Sequence, residues 1–336
     1  MLRTTVVGSW PVANEFAVRV AQYHNGQLDP QQAEALLFEV ARVAISQQEQ
    51  CGLDEYTGGE TWADSFVLHF PGVLTGLSRT TDCNAWDGRG SYECIGPLSA
   101  PLGLGIASAY RRERAIAPSI SKVNIPGPSE ITMMVVPRES RRMLWNDAIS
   151  LIRNEMAACI DAGAQEVQLD LPHIAMGLAD GDLAFDAWHT EESVDVIKQI
   201  FSGFEDIRRS VHFCYGDFGA QTWTTNRSFH PLLPTIQRLD GFIDRVVLEF
   251  SLPEQWAERA MLAEVPQNIE IAAGIVDVKS QNLESRENLG AKIEELLLYV
   301  STDRLLICPS CGLGRRDVEL AINKVTQMVQ TVATMA

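Results

Sequence analysis

No apolar run in this 336-residue chain approaches the roughly 20 residues that a membrane-spanning helix needs. Positive charge is scarce: 27 Lys and Arg stand against 44 Asp and Glu, a net charge of -17. Nucleic acid and anionic membrane surfaces both call for a basic footprint, so neither is an expected partner. The opening Met1-Leu2-Arg3-Thr4-Thr5-Val6-Val7-Gly8-Ser9 enters a short strand directly, without the apolar stretch and small-residue cleavage site of a signal peptide. No Gly/Ser/Pro-rich linker, charge block, repeat or low-complexity tract divides the sequence. Cysteine is limited to seven scattered residues, an odd number that suits reduced thiols and metal ligation better than a disulfide framework. These absences lead to the expectation of a single-domain cytoplasmic protein. Its 46% hydrophobic and 21% charged residues are ordinary for a globular chain.

Short apolar runs alternate with amphipathic stretches. Strands are expected at Arg3–Val7, Leu53–Thr57, Lys122–Ile125, Glu166–Leu169, Ser210–Cys214, Arg245–Phe250, Ile269–Ala273 and Arg304–Ile307. Helical periodicity marks Gln31–Gln50, Glu139–Ala162, Ser193–Phe204, Pro231–Leu239, Glu254–Glu264, Ser285–Val300 and the stretch after Asp317. Strands apolar on both faces and joined by helices imply a parallel sheet, and eight such units fit an α/β fold of the (β/α)8 TIM-barrel type. An open doubly wound sheet is the alternative, but the first strand is not followed by G-x-G-x-x-G. Residues 62–118 are irregular and aromatic (Trp62, Phe66, Phe70, Trp86, Tyr92, Tyr110) and read as a lid or an inserted hairpin.

In a barrel, function sits at the C-terminal ends of the strands. The polar residues cluster there: Gly8 and Ser9 after strand one, Asp54 in strand two with Glu60 beyond it, and Asp170 ending strand four. His212 and Cys214 end strand five, Glu249 ends strand six, Asp277 and Lys279 follow strand seven, and Cys308 and Cys311 follow strand eight. His212 and Cys214, two apart on a strand, share one face. Alone they read as packing or as half of a metal site. Glu249 interrupts Val-Val-Leu-Glu-Phe and needs a cation, a metal or several hydrogen bonds if buried; Arg245 is one available partner. Imidazole, thiolates and a carboxylate from three strand ends form a ligand set that suits zinc. No second C-x-x-C accompanies Cys308-Pro309-Ser310-Cys311, so a zinc ribbon is excluded and one cysteine of the pair is read as a ligand. His173, His189 and His230 read as surface or helix-cap histidines.

Taken in order, V-V-G-S-W-P at 6–11, C-G-L-D-E-Y-T-G-G-E at 51–60, G-A-Q-E-V-Q-L-D-L-P at 163–172, H-F-C-Y-G-D-F at 212–218, V-L-E-F-S at 247–251, A-G-I-V-D-V-K-S at 273–280 and C-P-S-C-G-L at 308–313 form a specific series. The sequence resembles the C-terminal catalytic half of cobalamin-independent methionine synthase and, more closely, its single-barrel short relatives. That resemblance implies zinc on His212, Cys214, Glu249 and Cys311. It further implies substrate contacts at Ser9, Glu60 and Asp170: the two acids hold an ammonium, and backbone around Gly8-Ser9 holds a carboxylate. The implied reaction is methyl transfer from a methyl-folate or methyl-corrinoid donor to the homocysteine thiol. A partner protein delivering the methyl group is compatible with this, and the oligomeric state is left open. A free thiol, with pKa about 8.5, is mostly protonated at neutral pH, and zinc coordination removes that proton.

Three departures bear on the donor. The long family's N-terminal half, which helps bind polyglutamylated folate, has no counterpart here. Asp277-Val278-Lys279-Ser280 stands where the long family has D-x-H-S, with its His serving proton transfer; Lys279 reads either as a proton donor or carrier of substrate charge, or as a solvated side chain. Asp170-Leu171-Pro172 replaces Asp-Glu-Pro. Alternatives are alkyl transfer to another thiol, as in joining coenzyme M to an epoxide, a zinc lyase or hydrolase acting on a thioether, and a non-catalytic thiol- or metal-binding protein.

Overall fold

The computed structural model describes residues 2–63, 69–83, 90–180, 188–217 and 224–335; Phe66, Trp86 and Phe218 lie outside them. In chain order the strands are β1 (Arg3–Thr4), β2 (Thr75–Cys83), β3 (Gly90–Ser99), β4 (Lys122–Pro126), β5 (Val135–Val136), β6 (Glu166–Asp170), β7 (Arg208–Phe213), β8 (Arg245–Glu249), β9 (Glu270–Val276) and β10 (Leu305–Pro309). Seven of them form one sheet in the order β1-β10-β9-β8-β7-β6-β4. Every pairing in it is parallel. The first strand lies against the last, so the sheet is curled toward closure as a barrel requires.

Period-two alternation explains the layering. Val167, Leu169, Val211, Phe213, Val246, Leu248, Ile271, Ala273, Leu305 and Ile307 belong to the large core shared with the helices. Their neighbours Val247, Ala272, Leu306 and Cys308 form a separate small cluster with Val7, the packed interior of the curl. The helix Pro30–Cys51 begins with Asp29 accepting from the Gln32 N–H at 2.8 Å while the Gln32 side chain returns to the Asp29 N–H. It ends at Gly52, whose φ of 81° suits the αL position after a helix. The helix expected over Glu139–Ala162 is two, Glu139–Met143 and Trp145–Asp161. The break falls at Leu144, buried against Leu98 of β3 and Val135.

Strand two is the main departure from the expected eight. Leu53–Thr57 runs alongside β1 but is not a strand, because side chains take over its backbone bonding. The Glu55 N–H donates to the Thr4 carbonyl at 3.1 Å. Asp54 Oδ2 accepts from the Thr4 N–H at 2.7 Å, the place of a ladder carbonyl. Gln48 donates to the Thr57 carbonyl at 2.8 Å and accepts from its N–H at 3.4 Å. Backbone groups satisfied in this way have no need of a neighbouring strand. Within the irregular stretch, β2 and β3 form an antiparallel hairpin, with β5 added parallel to β3.

The N-terminal ends of the strands hold an ion-pair network. Arg245, fully buried, contacts Glu55 at 2.5 Å, Glu166 at 3.1 Å and Glu270 at 2.8 Å. Arg3 pairs with Glu55 and Glu270, and Ser210 Oγ donates to Glu166 at 2.6 Å. Arg245 is therefore not the partner of Glu249. The two residues occupy opposite ends of β8.

Candidate active site

The C-terminal strand ends gather the second polar group. His212 lies in β7, Cys214 one residue beyond it and Cys311 two residues beyond β10. One ligand atom from each lies within 4.8 Å of the other two. The sulfurs are 3.8 Å apart, well beyond the roughly 2.05 Å of a disulfide. His212 Nδ1 lies 3.3 Å from the Val247 carbonyl. Assigning the ring proton to Nδ1 satisfies that contact and leaves Nε2 bare; Nε2 is buried beside the Cys311 sulfur and has no other hydrogen-bond partner among the described residues. The hydrogen bond donated by Cys214 holds the Cys311 thiol well below the usual range against the opposing effect of burial, and His212 adds to this. Cys214 is correspondingly pushed well above that range, by its bond to Cys311 and then by burial. A buried imidazole nitrogen beside two cysteine sulfurs is a donor set that could hold a metal ion.

Glu249 stands beside this group without belonging to the closest set. Its side chain is fully buried, and Oε1 lies 2.5 Å from Lys279 Nζ. Oε2 accepts from the Tyr215 N–H at 3.2 Å. Burial pushes the Glu249 carboxyl up, whereas for Lys279 the Glu249 charge outweighs burial and holds the ammonium charged. The contact distance is that of an ion pair, so we take both groups as charged. Asp277 does not reach the site itself. Its Oδ1 accepts from the Lys279 N–H at 2.9 Å, making a turn that aims the lysine inward.

Two acids stand beside the His212, Cys214 and Cys311 group: Asp170 is the register partner of His212 on the neighbouring strand, and Glu60 is near enough to feel the charges of Asp170 and Cys311. Asp170 is buried, accepting from Asn124 Nδ2 at 3.0 Å and Gln168 Nε2 at 2.7 Å. The same two amides donate to the Val7 carbonyl at 2.8 and 3.0 Å, and their own oxygens have no hydrogen-bond partner among the described residues. Glu60 is carried in the left-handed region at φ 55°, a strained position for a residue other than glycine. Burial first, then the Asp170 charge, pushes its carboxyl up to about 8. Burial likewise raises Asp170. A Cβ on Gly8 would fall 2.6 Å from Asn124 Nδ2 and closer still to Glu60, so only glycine fits between the acids and β1. Glu60 and Asn124 also line a cleft with Trp62, Ala63, Phe70, Ile106 and Pro126.

Ser9 meets the loop that carries Cys311. Its Oγ accepts from the Gly314 N–H at 3.2 Å and its carbonyl from the Leu313 N–H at 2.8 Å. The buried pair Arg316–Asp217, at 2.8 Å, ties this loop to the one following Cys214. Asp54 is not at the site. It is exposed, bonded to Thr4 at the opposite end of its segment from Glu60. Cys308 faces the barrel interior, its thiol pushed up to about 12 by burial. His189 precedes the helix Thr190–Phe201 as its cap residue, and His230 is exposed. His173 is buried instead, 3.0 Å from Glu130, because the helix it opens is covered.

Asn124 and Gln168 escaped the reading of the sequence. Their signal was present in Lys122-Val123-Asn124 and Glu166-Val167-Gln168-Leu169-Asp170, where polar residues recur at period two and so share the inward face.

A family model described as the cobalamin-independent synthase catalytic domain matches residues 2–334. A 5-methyltetrahydropteroyltriglutamate–homocysteine methyltransferase of Nitratidesulfovibrio vulgaris is 26% identical over 94% of this chain and 39% of its own length. Its namesake in Klebsiella pneumoniae is 26% identical over 99% of this chain and 43% of its own. The chain thus spans about two-fifths of these relatives. Among solved structures, a B12-independent methionine synthase from Shewanella sp. W3-18-1, in complex with selenomethionine, superposes with a TM-score of 0.79 at 18% identity, covering 100% of this chain and 98% of that one. A methyltransferase from Methanosarcina mazei gives 0.60 at 13%, covering 99% and 94%. Those likenesses share the fold, and the family match spans nearly every residue: the chain belongs to the family of cobalamin-independent synthase catalytic domains.

Proposed function

We propose that this chain is a zinc-dependent methyltransferase acting on the thiol of homocysteine to form methionine. The observation that carries the proposal is the convergence of His212, Cys214 and Cys311 beside the buried acids Glu60 and Asp170. A thiophilic donor set then adjoins acceptors for an ammonium, matching the two ends of an amino-acid thiol. The sulfur separation of 3.8 Å matches the edge of a tetrahedron built with Zn–S bonds of about 2.3 Å, which is about 3.8 Å. His212 Nε2, Cys214 and Cys311 would hold the ion, with Glu249 as the exchangeable fourth group. When bound, zinc keeps the acceptor thiol deprotonated at neutral pH.

The chain's own residues orient the substrate. Asp170, steadied by Asn124 and Gln168, and Glu60 receive the ammonium, while backbone at Gly8-Ser9 receives the carboxylate. Held in this way, the sulfur attacks the methyl carbon, and the donor leaves with the electron pair of the broken bond. The names of the curated relatives, a homocysteine acceptor and a methyltetrahydropteroyl donor, support this reading. So does the selenomethionine, a selenium analogue of the product, in the Shewanella structure. The barrel with its hairpin is then one catalytic unit in the cytoplasm. The test is zinc-loaded protein with homocysteine and either a methyl-folate or a methyl-corrinoid, reading out methionine. Methionine from either donor is expected. No methionine, and no sulfur added to the metal's neighbours by homocysteine in X-ray absorption, overturns the proposal. Such a change with another thiol alone would assign alkyl transfer to that thiol.

A further inference from the structure

Lys279 brings a positive charge against Glu249 beside the cysteine sulfurs; the buried Lys122, which donates to the Val6 carbonyl at 2.7 Å, lies on the side of the acids. The Lys279 side chain is 7% exposed, that of Glu249 is 0%, and Nζ lies 2.5 Å from Oε1. The lysine is not free to swing away. Its turn is fixed by the Asp277 side chain, by Glu284 accepting from the Asp277 N–H at 2.6 Å, and by Ser310 Oγ accepting from the Val278 N–H at 3.2 Å. Ser310 itself lies between Cys308 and Cys311, so the lysine is indexed to the ligand loop. The Tyr215 N–H occupies the other oxygen of Glu249. Both oxygens therefore have protein donors, and the carboxylate lies outside the set of ligand atoms that are closest together.

Charge counting shows what this does. A divalent zinc with two cysteinates and Glu249 sums to +2 - 2 - 1 = -1, and Lys279 brings the sum to zero. A second anion enters a neutral, buried site at far less electrostatic cost than one already negative. Resting on the zinc–thiol reading above, we propose that Lys279 is a positioning residue that holds the Glu249 carboxylate as a weak, displaceable neighbour of the metal, keeping one coordination position open to the substrate thiolate. Once displaced, the carboxylate still has its counter-charge.

Zinc competition against a chromophoric chelator, with X-ray absorption of the zinc-loaded protein, tests this in Lys279→Met. Freed of its ammonium, Glu249 becomes a full ligand. Zinc should bind about tenfold tighter, a change of about 1.4 kcal/mol, and homocysteine should no longer replace an oxygen neighbour with sulfur. Loss of an ordinary supporting contact would act in the opposite direction, weakening zinc by about 10–100-fold. Weaker or unchanged zinc binding with a normal homocysteine response overturns the inference. The double variant Lys279→Met/Glu249→Gln guards against misfolding from an unpaired buried acid. Lys279→Met should have no effect in the Glu249→Gln background, and an effect of equal size there also overturns the inference. Wild-type protein that holds no zinc overturns the functional reading itself, and this inference with it.

Discussion

The two ends of the barrel treat buried polar groups in opposite ways. At the N-terminal end, Arg245 is surrounded by Glu55, Glu166 and Glu270, with Arg3 and Arg208 completing a network of matched charge. At the C-terminal end, among the described residues, the amide oxygens of Asn124 and Gln168 have no hydrogen-bond partner, His212 Nε2 meets only the Cys311 sulfur, the sulfurs of Cys214 and Cys311 lie 3.8 Å apart, and the Asp170 charge bears on Glu60. A buried group that is left unsatisfied costs stability. Matched charges at one end hold the strands together, whereas at the other the pairs Lys279–Glu249 and Arg316–Asp217 stand among buried polar atoms that lack partners among the described residues.

Substitutions that affect one end and spare the other break this comparison. The largest effect is expected from Cys311→Ala, which should strip the metal and reduce methyl transfer by on the order of a thousandfold or more; metal analysis and turnover check it. Arg245→Met should do the reverse, leaving metal content intact while destabilising the fold by about 3–5 kcal/mol in chemical denaturation, because three acids lose their buried cation. Asp170→Asn should retain zinc and raise the KM for homocysteine by about 10–100-fold, the value of a charge-assisted contact. The last comparison concerns pH. Glu60 titrates at about 8 in the folded protein, against about 4.3 for an ordinary glutamate. Between those values the folded state retains a proton that the unfolded chain has lost, so this contribution to stability fades as pH rises from about 5 to about 8. Glu60→Gln should flatten that slope in metal-free protein, read from denaturation midpoints at the two pH values. Glu113, raised by burial to about 7, contributes a residual slope of the same sign.

The legible parts were those written locally. Strands from Lys122 onward, the helix stop at Gly52 and the polar strand ends all follow from period, turn residues and burial. The illegible parts depend on partners far along the chain. Leu53–Thr57 has the composition of a strand, but its bonding is taken by Gln48 and by Asp54 reaching back to Thr4, so the same Asp54 that looked like a substrate contact is a structural one. Glu249 offered Arg245 as its nearest cation in sequence, four residues away on the same face. At about 3.3 Å per residue that distance spans the barrel, and the actual partner is Lys279 on the next strand's loop. Nothing in the composition of 62–118 fixed the register of β2 against β3.

Ser9 and Cys311 have been treated as belonging to different halves of the site, yet the turn Cys311-Gly312-Leu313-Gly314 serves both. A Cβ on Gly312 would collide with Ser9 Oγ, and Leu313 and Gly314 donate to Ser9. Ordering this turn by either guest therefore prepares it for the other. By thermodynamic linkage the effect is reciprocal: the factor by which the metal tightens the amino acid is the factor by which the amino acid tightens the metal. At equilibrium a chelator should accordingly remove less zinc from the protein when homocysteine is present.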